Sequence, residues 1–182
     1  MKKIIGISLL IAFVAFKTAT GVFDLSITTA DGGDQSLNIY QGKKMVIVVL
    51  PVTKTTADSA LLELMDSLSI NYADSVNMVG IPSYEDGFRD DSLSSLMTWY
   101  RSILGEQFII SAGMSTRKSS AYQAPLFSYL TNADQNGHFN DDVSGAGEKF
   151  FIDALGNLYG ISLPDADFDE DIFSSMLSHS RE

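Results

Sequence analysis

The sequence predicts an α/β domain, with a central mixed β-sheet flanked by helices on both faces. Three observations carry that prediction. The run Met45-Val46-Ile47-Val48-Val49-Leu50 is apolar without a break, as a strand buried on both faces requires. Strand-like and helix-like stretches then alternate along the chain, the order that builds a sheet with helices packed against it. Finally, residues 149–163 read as a hairpin, FFID and LYGISL around a turn at Ala154-Leu155-Gly156-Asn157, which adds antiparallel strands.

The elements follow in order. Residues 22–28 alternate apolar and polar side chains, and Ala30-Asp31-Gly32-Gly33-Asp34 is a strong turn, so a hairpin precedes the central strand. Residues 57–72 place Ala60, Leu61, Leu64, Leu68 and Tyr72 near helical spacing, with Asp58 or Thr56 available as a cap. Residues 76–82 form a second apolar strand. Asp91-Ser92 can cap a helix running through Leu93, Leu96, Met97 and Tyr100 towards Gly105. Residues 108–110 are a short extended piece, and 125–130 a helix opened by Pro125. Residues 167–178 close the chain as a helix, with Asp167 as cap and Glu170 at capping-box spacing.

The chain has 182 residues, 45% hydrophobic and 19% charged, which suits one domain with a substantial core and argues against disorder. Its first residues are a separate unit. Lys2-Lys3 precede an uncharged apolar run over residues 4–16, and Thr18-Ala19-Thr20-Gly21 supply small residues for cleavage. This is the layout of a signal peptide spanning residues 1–21, with the cut after Gly21 or Ala19 and a single domain over 22–182. The run is short for a membrane span, which needs about 20 residues. Export without a lipid anchor is therefore expected, because the lipid would need a cysteine and there is none. Removing residues 1–21 takes away Lys2, Lys3 and Lys17 and no acid. Nine of the 12 basic residues then face 23 acids, a formal charge of −14. Such a surface repels nucleic acid and anionic lipid. Zero cysteines also exclude disulfides, thiolate catalysis and cysteine-ligated metals.

Several motifs along this chain resemble the glutathione peroxidases. Tyr40-Gln41-Gly42-Lys43 matches that family's Tyr-x-Gly-Lys stretch, and Thr53-Lys54 its Ser-Lys before the reactive residue. Gly80-Ile81-Pro82-Ser83-Tyr84-Glu85 lies over its Gly-Phe-Pro-Cys-Asn-Gln segment. The stretch Pro125-Leu126-Phe127-Ser128-Tyr129-Leu130-Thr131 resembles its Pro-Leu-Tyr-x-x-Leu-Thr helix. Residues 145–153 lie over its Trp-Asn-Phe-x-Lys-Phe-Leu-x-Asp motif. The resemblance implies a thioredoxin-like fold. It also implies that the catalytic tetrad of Cys or Sec, Gln, Trp and Asn falls on Thr55, Glu85, Gly145 and Ala146, so that none of the four is kept.

The chemical consequence is direct. Peroxide reduction of this type needs a thiolate or selenolate that becomes a sulfenic or selenenic acid. A threonine hydroxyl has no comparable oxidation, and a glutamate nearby opposes any anion forming there. The expectation is a non-peroxidase that binds an unidentified small ligand or protein partner, with no cofactor and no metal. Gly145 and Ala146 should open space where an indole would sit. Two alternatives stand beside it: residual enzymatic activity with Glu85 as a general base beside Thr55, and an acidic partner-recognition module.

Other groups carry less. The two histidines, His138 in an Asn-Gly loop and His179 near the end, offer no Ser-His-Asp site. Asp165, Asp167, Asp169, Glu170 and Asp171 lack the glycine and terminal acid of a calcium loop. Met45, Met65, Met78, Met97, Met114 and Met176 mostly sit at positions that pattern as core. Arg117-Lys118 reads either as a flexible surface loop or as a local anion contact.

Overall fold

The computed structural model of this protein describes residues 21–179, so the signal-peptide reading lies, Gly21 apart, outside the described residues. Among the described residues no helix is long and apolar enough to cross a membrane. The opening hairpin forms as β1 (Ser26–Thr28) and β2 (Asp34–Ser36), antiparallel, though Val22–Asp24 makes a turn of 3-10 helix instead of extending the strand. The chain then alternates β3 (Lys44–Leu50), α1 (Thr56–Asn71), β4 (Val76–Pro82), α2 (Leu93–Arg101) and β5 (Ile109–Ile110). After a long loop come α3 (Pro125–Thr131) and α4 (Ala133–Asn136). The hairpin β6 (Lys149–Ile152) and β7 (Leu158–Ser162) and then α5 (Glu170–Ser178) complete it.

Five strands form one sheet in the order β5-β4-β3-β6-β7. The β3–β4 and β4–β5 pairs are parallel, while β3–β6 and β6–β7 are antiparallel. The uninterrupted apolar run is explained by where its side chains go. Met45, Ile47 and Val49 enter one core with Leu126, Phe127, Tyr129 and Leu130 of α3. Val46, Val48 and Leu50 enter the other, with Leu62, Met65 and Leu68 of α1, Leu96 and Tyr100 of α2, and Phe173 of α5. Alternate residues of one strand thus feed both faces, and each face is covered by helix.

Three local expectations need correction. The buried stripe of α1 is Leu62, Met65, Leu68 and Ser69; Ala60 is exposed and Leu61 and Leu64 only half-buried, because the helix is rotated slightly from the predicted face. Its cap is Thr55, one residue before the helix, where the backbone is still extended. The cap of α5 is Asp169, whose carboxylate accepts from the Ile172 amide at 2.9 Å, and not Asp167. Short α4, capped by Asn132, was not foreseen. Of the methionines, Met45, Met65 and Met78 are buried as the pattern implies, while Met97, Met114 and Met176 are only half-buried.

Candidate functional site

Parallel pairing of β3 with β4 sets Leu50 beside Pro82, so the segments that follow both strands leave the same end of the sheet. The segment before β6 reaches that end as well, since the Gly147 amide donates to the Val49 carbonyl at 2.7 Å. These three segments carry Thr55, Glu85 and Gly145-Ala146. They touch through their neighbours: a Cβ on Gly87 would meet Val52 at 3.8 Å, and one on Gly145 would meet Asp86 Oδ1 at 3.6 Å.

Thr55 is exposed and already committed. Its hydroxyl accepts from the Asp58 amide at 3.1 Å, and Asp58 Oδ2 accepts from the Thr55 amide at 2.9 Å, a reciprocal capping box on α1. Thr53 Oγ1 donates to the same carboxylate at 2.5 Å. Burial pushes the Asp58 carboxyl up, and the bonds from Thr53 and Thr55 outweigh it, leaving the group below its ordinary value. Lys54, before the cap, has φ +57, and its ammonium donates to the Ser95 carbonyl of α2 at 3.1 Å. The turn that opens α1 is therefore held by side chains on both sides.

Glu85 is committed too. Its Oε2 accepts from the Thr116 amide at 2.8 Å, from Thr116 Oγ1 at 3.2 Å and from Ser83 Oγ at 3.3 Å. Burial raises this carboxyl, but those donors more than compensate, and its value falls below that of a free glutamate. A general base working near neutrality needs the opposite shift. Beside it, Asp86 Oδ1 accepts from Arg117 Nη2 at 2.9 Å. This contact is single, leaving Asp86 Oδ2 and Arg117 Nε buried without a protein hydrogen-bond partner. Tyr84 braces the loop from outside, donating to Asp90 at 2.6 Å; that bond, together with burial, pushes its phenol up to about 12.

Thr116, Arg117, Ser83 and Asp86 were not singled out for this role from sequence. Gly80 pairs with Ile110, Ser83 bridges Met114, and Glu85 and Asp86 meet Thr116 and Arg117. One nearly constant offset runs through all four contacts. The parallel register of β4 and β5 simply continues beyond the strands. An acidic pair at 85–86 and Thr-Arg at 116–117, both after apolar strands, was the available signal.

Gly145 is buried with φ +149 and Gly147 has φ +92, backbone that L side chains rarely adopt; Ala146 is half-buried. A side chain at Gly145 would be strained by that backbone, while its Cβ would meet Asp86 only at ordinary contact distance. Two buried charges follow. Glu148 accepts from the Ser144 amide at 2.5 Å, yet burial still leaves its carboxyl above the ordinary value. Lys149 donates to the Gly147 carbonyl at 2.8 Å and sits over the Phe168 ring, 4.3 Å from its centroid. Burial lowers its ammonium to about 8 against the opposing pull of Glu148.

Arg117-Lys118 is not a free basic patch. Arg117 pairs with Asp86, and Lys118 donates its ammonium to the Asn140 carbonyl and its amide to Asp142, which ties the loop down. No group of three or more His, Asp or Glu among the described residues is arranged to hold a metal.

No protein-family model matches the sequence, and no curated protein matches it. Solved structures do match. The apo form of a protein designated Trgpx superposes with a TM-score of 0.63 at 20% identity, covering 88% of this chain and 95% of that one. GPX1 of T. cruzi gives 0.59 at 17%, covering 86% and 94%. A thioredoxin-family thiol:disulfide interchange protein from Chlorobium tepidum TLS gives 0.60 at 18%, covering 90% and 97%. At these identities the likeness fixes the fold, which is thioredoxin-like and of the glutathione peroxidase type, carried by a chain without cysteine.

Proposed function

We propose that this chain is an exported, degenerate member of the glutathione peroxidase family that acts by binding rather than by reducing peroxide. One observation carries the reading. At the positions aligned with the reactive residue and its glutamine partner, the side chains are consumed in the fold's own hydrogen bonds: Thr55 caps α1, and Glu85 holds the 114–118 loop through Thr116. With no cysteine in the chain, no thiolate is available to attack an O–O bond. The export component rests on the charge and apolar pattern of residues 1–21. The test is hydroperoxide reduction by the purified mature protein with glutathione, thioredoxin or dithiothreitol as donor. No rate above a heat-denatured control is expected; turnover with any donor would overturn the reading.

A further inference from the structure

A cavity of about 460 Å³ lies away from these loops, between the β1–β2 hairpin and the last turn of α2. Thr29, Asp31, Asp34 and Gln35 line one side; Met97, Arg101, Glu106, Phe108 and Ile109 line the other. The volume falls within the usual range of about 300–1,000 Å³ for small-molecule sites.

Its chemistry is unusual for this acidic protein. Arg101 is half-buried and fixed by Nη1, which donates to the carbonyls of Gly105 at 2.7 Å and Phe108 at 3.0 Å. Those bonds hold the guanidinium plane in place. Among the described residues Arg101 forms no ion pair, although three carboxylates line the same cavity. A fixed, half-buried guanidinium with unused donors is suited to a ligand carboxylate.

The carboxylates differ in how occupied they are. Asp31 accepts from the Thr29 hydroxyl and the Gly33 amide, and Asp34 from the Thr28 hydroxyl at 3.2 Å. Glu106 is exposed and has no hydrogen-bond or ion-pair partner among the described residues. One cation and three anions repel a simple anion as a whole. They favour a ligand carrying a carboxylate for Arg101 and an ammonium for Glu106. Met97 and Ile109, both half-buried, supply apolar wall for a side chain.

We propose that this cavity is a binding site for a zwitterionic short peptide with an apolar side chain, its carboxylate on Arg101 and its ammonium on Glu106. The inference deepens the binding reading above, and the two fail separately, since a peroxidase assay leaves this site untouched. Calorimetric titration with three probes tests it: leucyl-leucine, its N-acetylated form and its C-amidated form. The free dipeptide should bind, and each capped form should bind at least about tenfold more weakly, having lost one charge-assisted contact. Arg101→Lys should weaken the free dipeptide. Because Arg101 also holds two carbonyls, Glu106→Gln at an exposed, unbonded position is the cleaner variant. It should weaken the free dipeptide severalfold and leave the N-acetylated form unchanged. Absence of binding, equal binding of all three probes, or indifference to Glu106→Gln would each overturn the proposal.

Discussion

Two segments at the same end of the sheet treat buried charge in opposite ways. In the 83–87 loop, Glu85 collects three donors and Asp86 an arginine, and Glu85 is held below its ordinary value. In the 144–149 segment, Glu148 is raised and Lys149 lowered, both chiefly by burial. The difference lies in depth and in supply: Glu85 and Asp86 are only half-buried, whereas Glu148 and Lys149 are almost fully so. The 83–87 loop runs parallel to 114–118 and meets a donor at each step, whereas Lys149 faces an aromatic wall with one carbonyl in reach. Burial alone does not set a charge's fate; the hydrogen bonds available at that depth count with it.

The largest expected effect is at Lys149. Its folded value of about 8 lies below the ordinary 10.5, so between those values the unfolded chain binds more protons. The Lys149 contribution to stability therefore rises with pH across that window, by about 2 kcal/mol from pH 8 to pH 10. The phenols of Tyr84, Tyr100 and Tyr159, all raised, oppose it as pH approaches 10, because the unfolded chain loses those protons first. Urea melts at half-unit steps from pH 7 to pH 10 measure the slope, and Lys149→Met should flatten it. A slope unchanged in the variant would mean that Lys149 is ordinarily solvated, and the contrast between the two segments would disappear.

The second effect tests the paired side. Arg117→Ala leaves Asp86, whose side chain is 12% exposed, with neither of its oxygens bonded. A loss of about 1–2 kcal/mol is expected, less than for a fully buried pair because the arginine is itself a third exposed. A double-mutant cycle with Asp86→Ala should return a coupling of about 1 kcal/mol. Additivity of the two losses would show that the contact is incidental.

These two segments also mark where sequence reading works and where it stops. The sheet was legible because its pattern carries it: β3 holds an unbroken apolar run over 45–50, β4 an apolar run interrupted by Asn77, and β6–β7 form a hairpin around Gly156-Asn157. The rotation of α1 was not, since Ala60-Leu61-Leu62 and Leu64-Met65 offer two neighbouring stripes and only packing selects one. The bonds at Glu85 were out of reach for a different reason. They depend on register between segments 31 residues apart, and no local pattern fixes register. Arg117 reads as an open surface loop in the sequence because its partner lies that far away.

The smallest effect on stability, and the sharpest on interpretation, is expected from Thr55→Cys. The change removes a capping hydroxyl at an exposed position, about 1 kcal/mol or less. The new thiol would stand exposed at the N-terminus of a 16-residue helix, whose positive end favours thiolate while the Asp58 carboxylate opposes it, so iodoacetamide should alkylate it at an ordinary rate. Peroxide reduction should still not exceed the rate of dithiothreitol alone. A reactive sulfur needs donors that stabilise it and the departing oxygen; Gly145 and Ala146 have none in their side chains, and Glu85 contributes negative charge while its oxygens stay bound to Thr116 and Ser83. Restored turnover from this one substitution would mean that the loss of sulfur alone silenced the site. Alkylation without turnover would agree with the proposed reading, in which the Thr55 turn and Glu85 serve the fold.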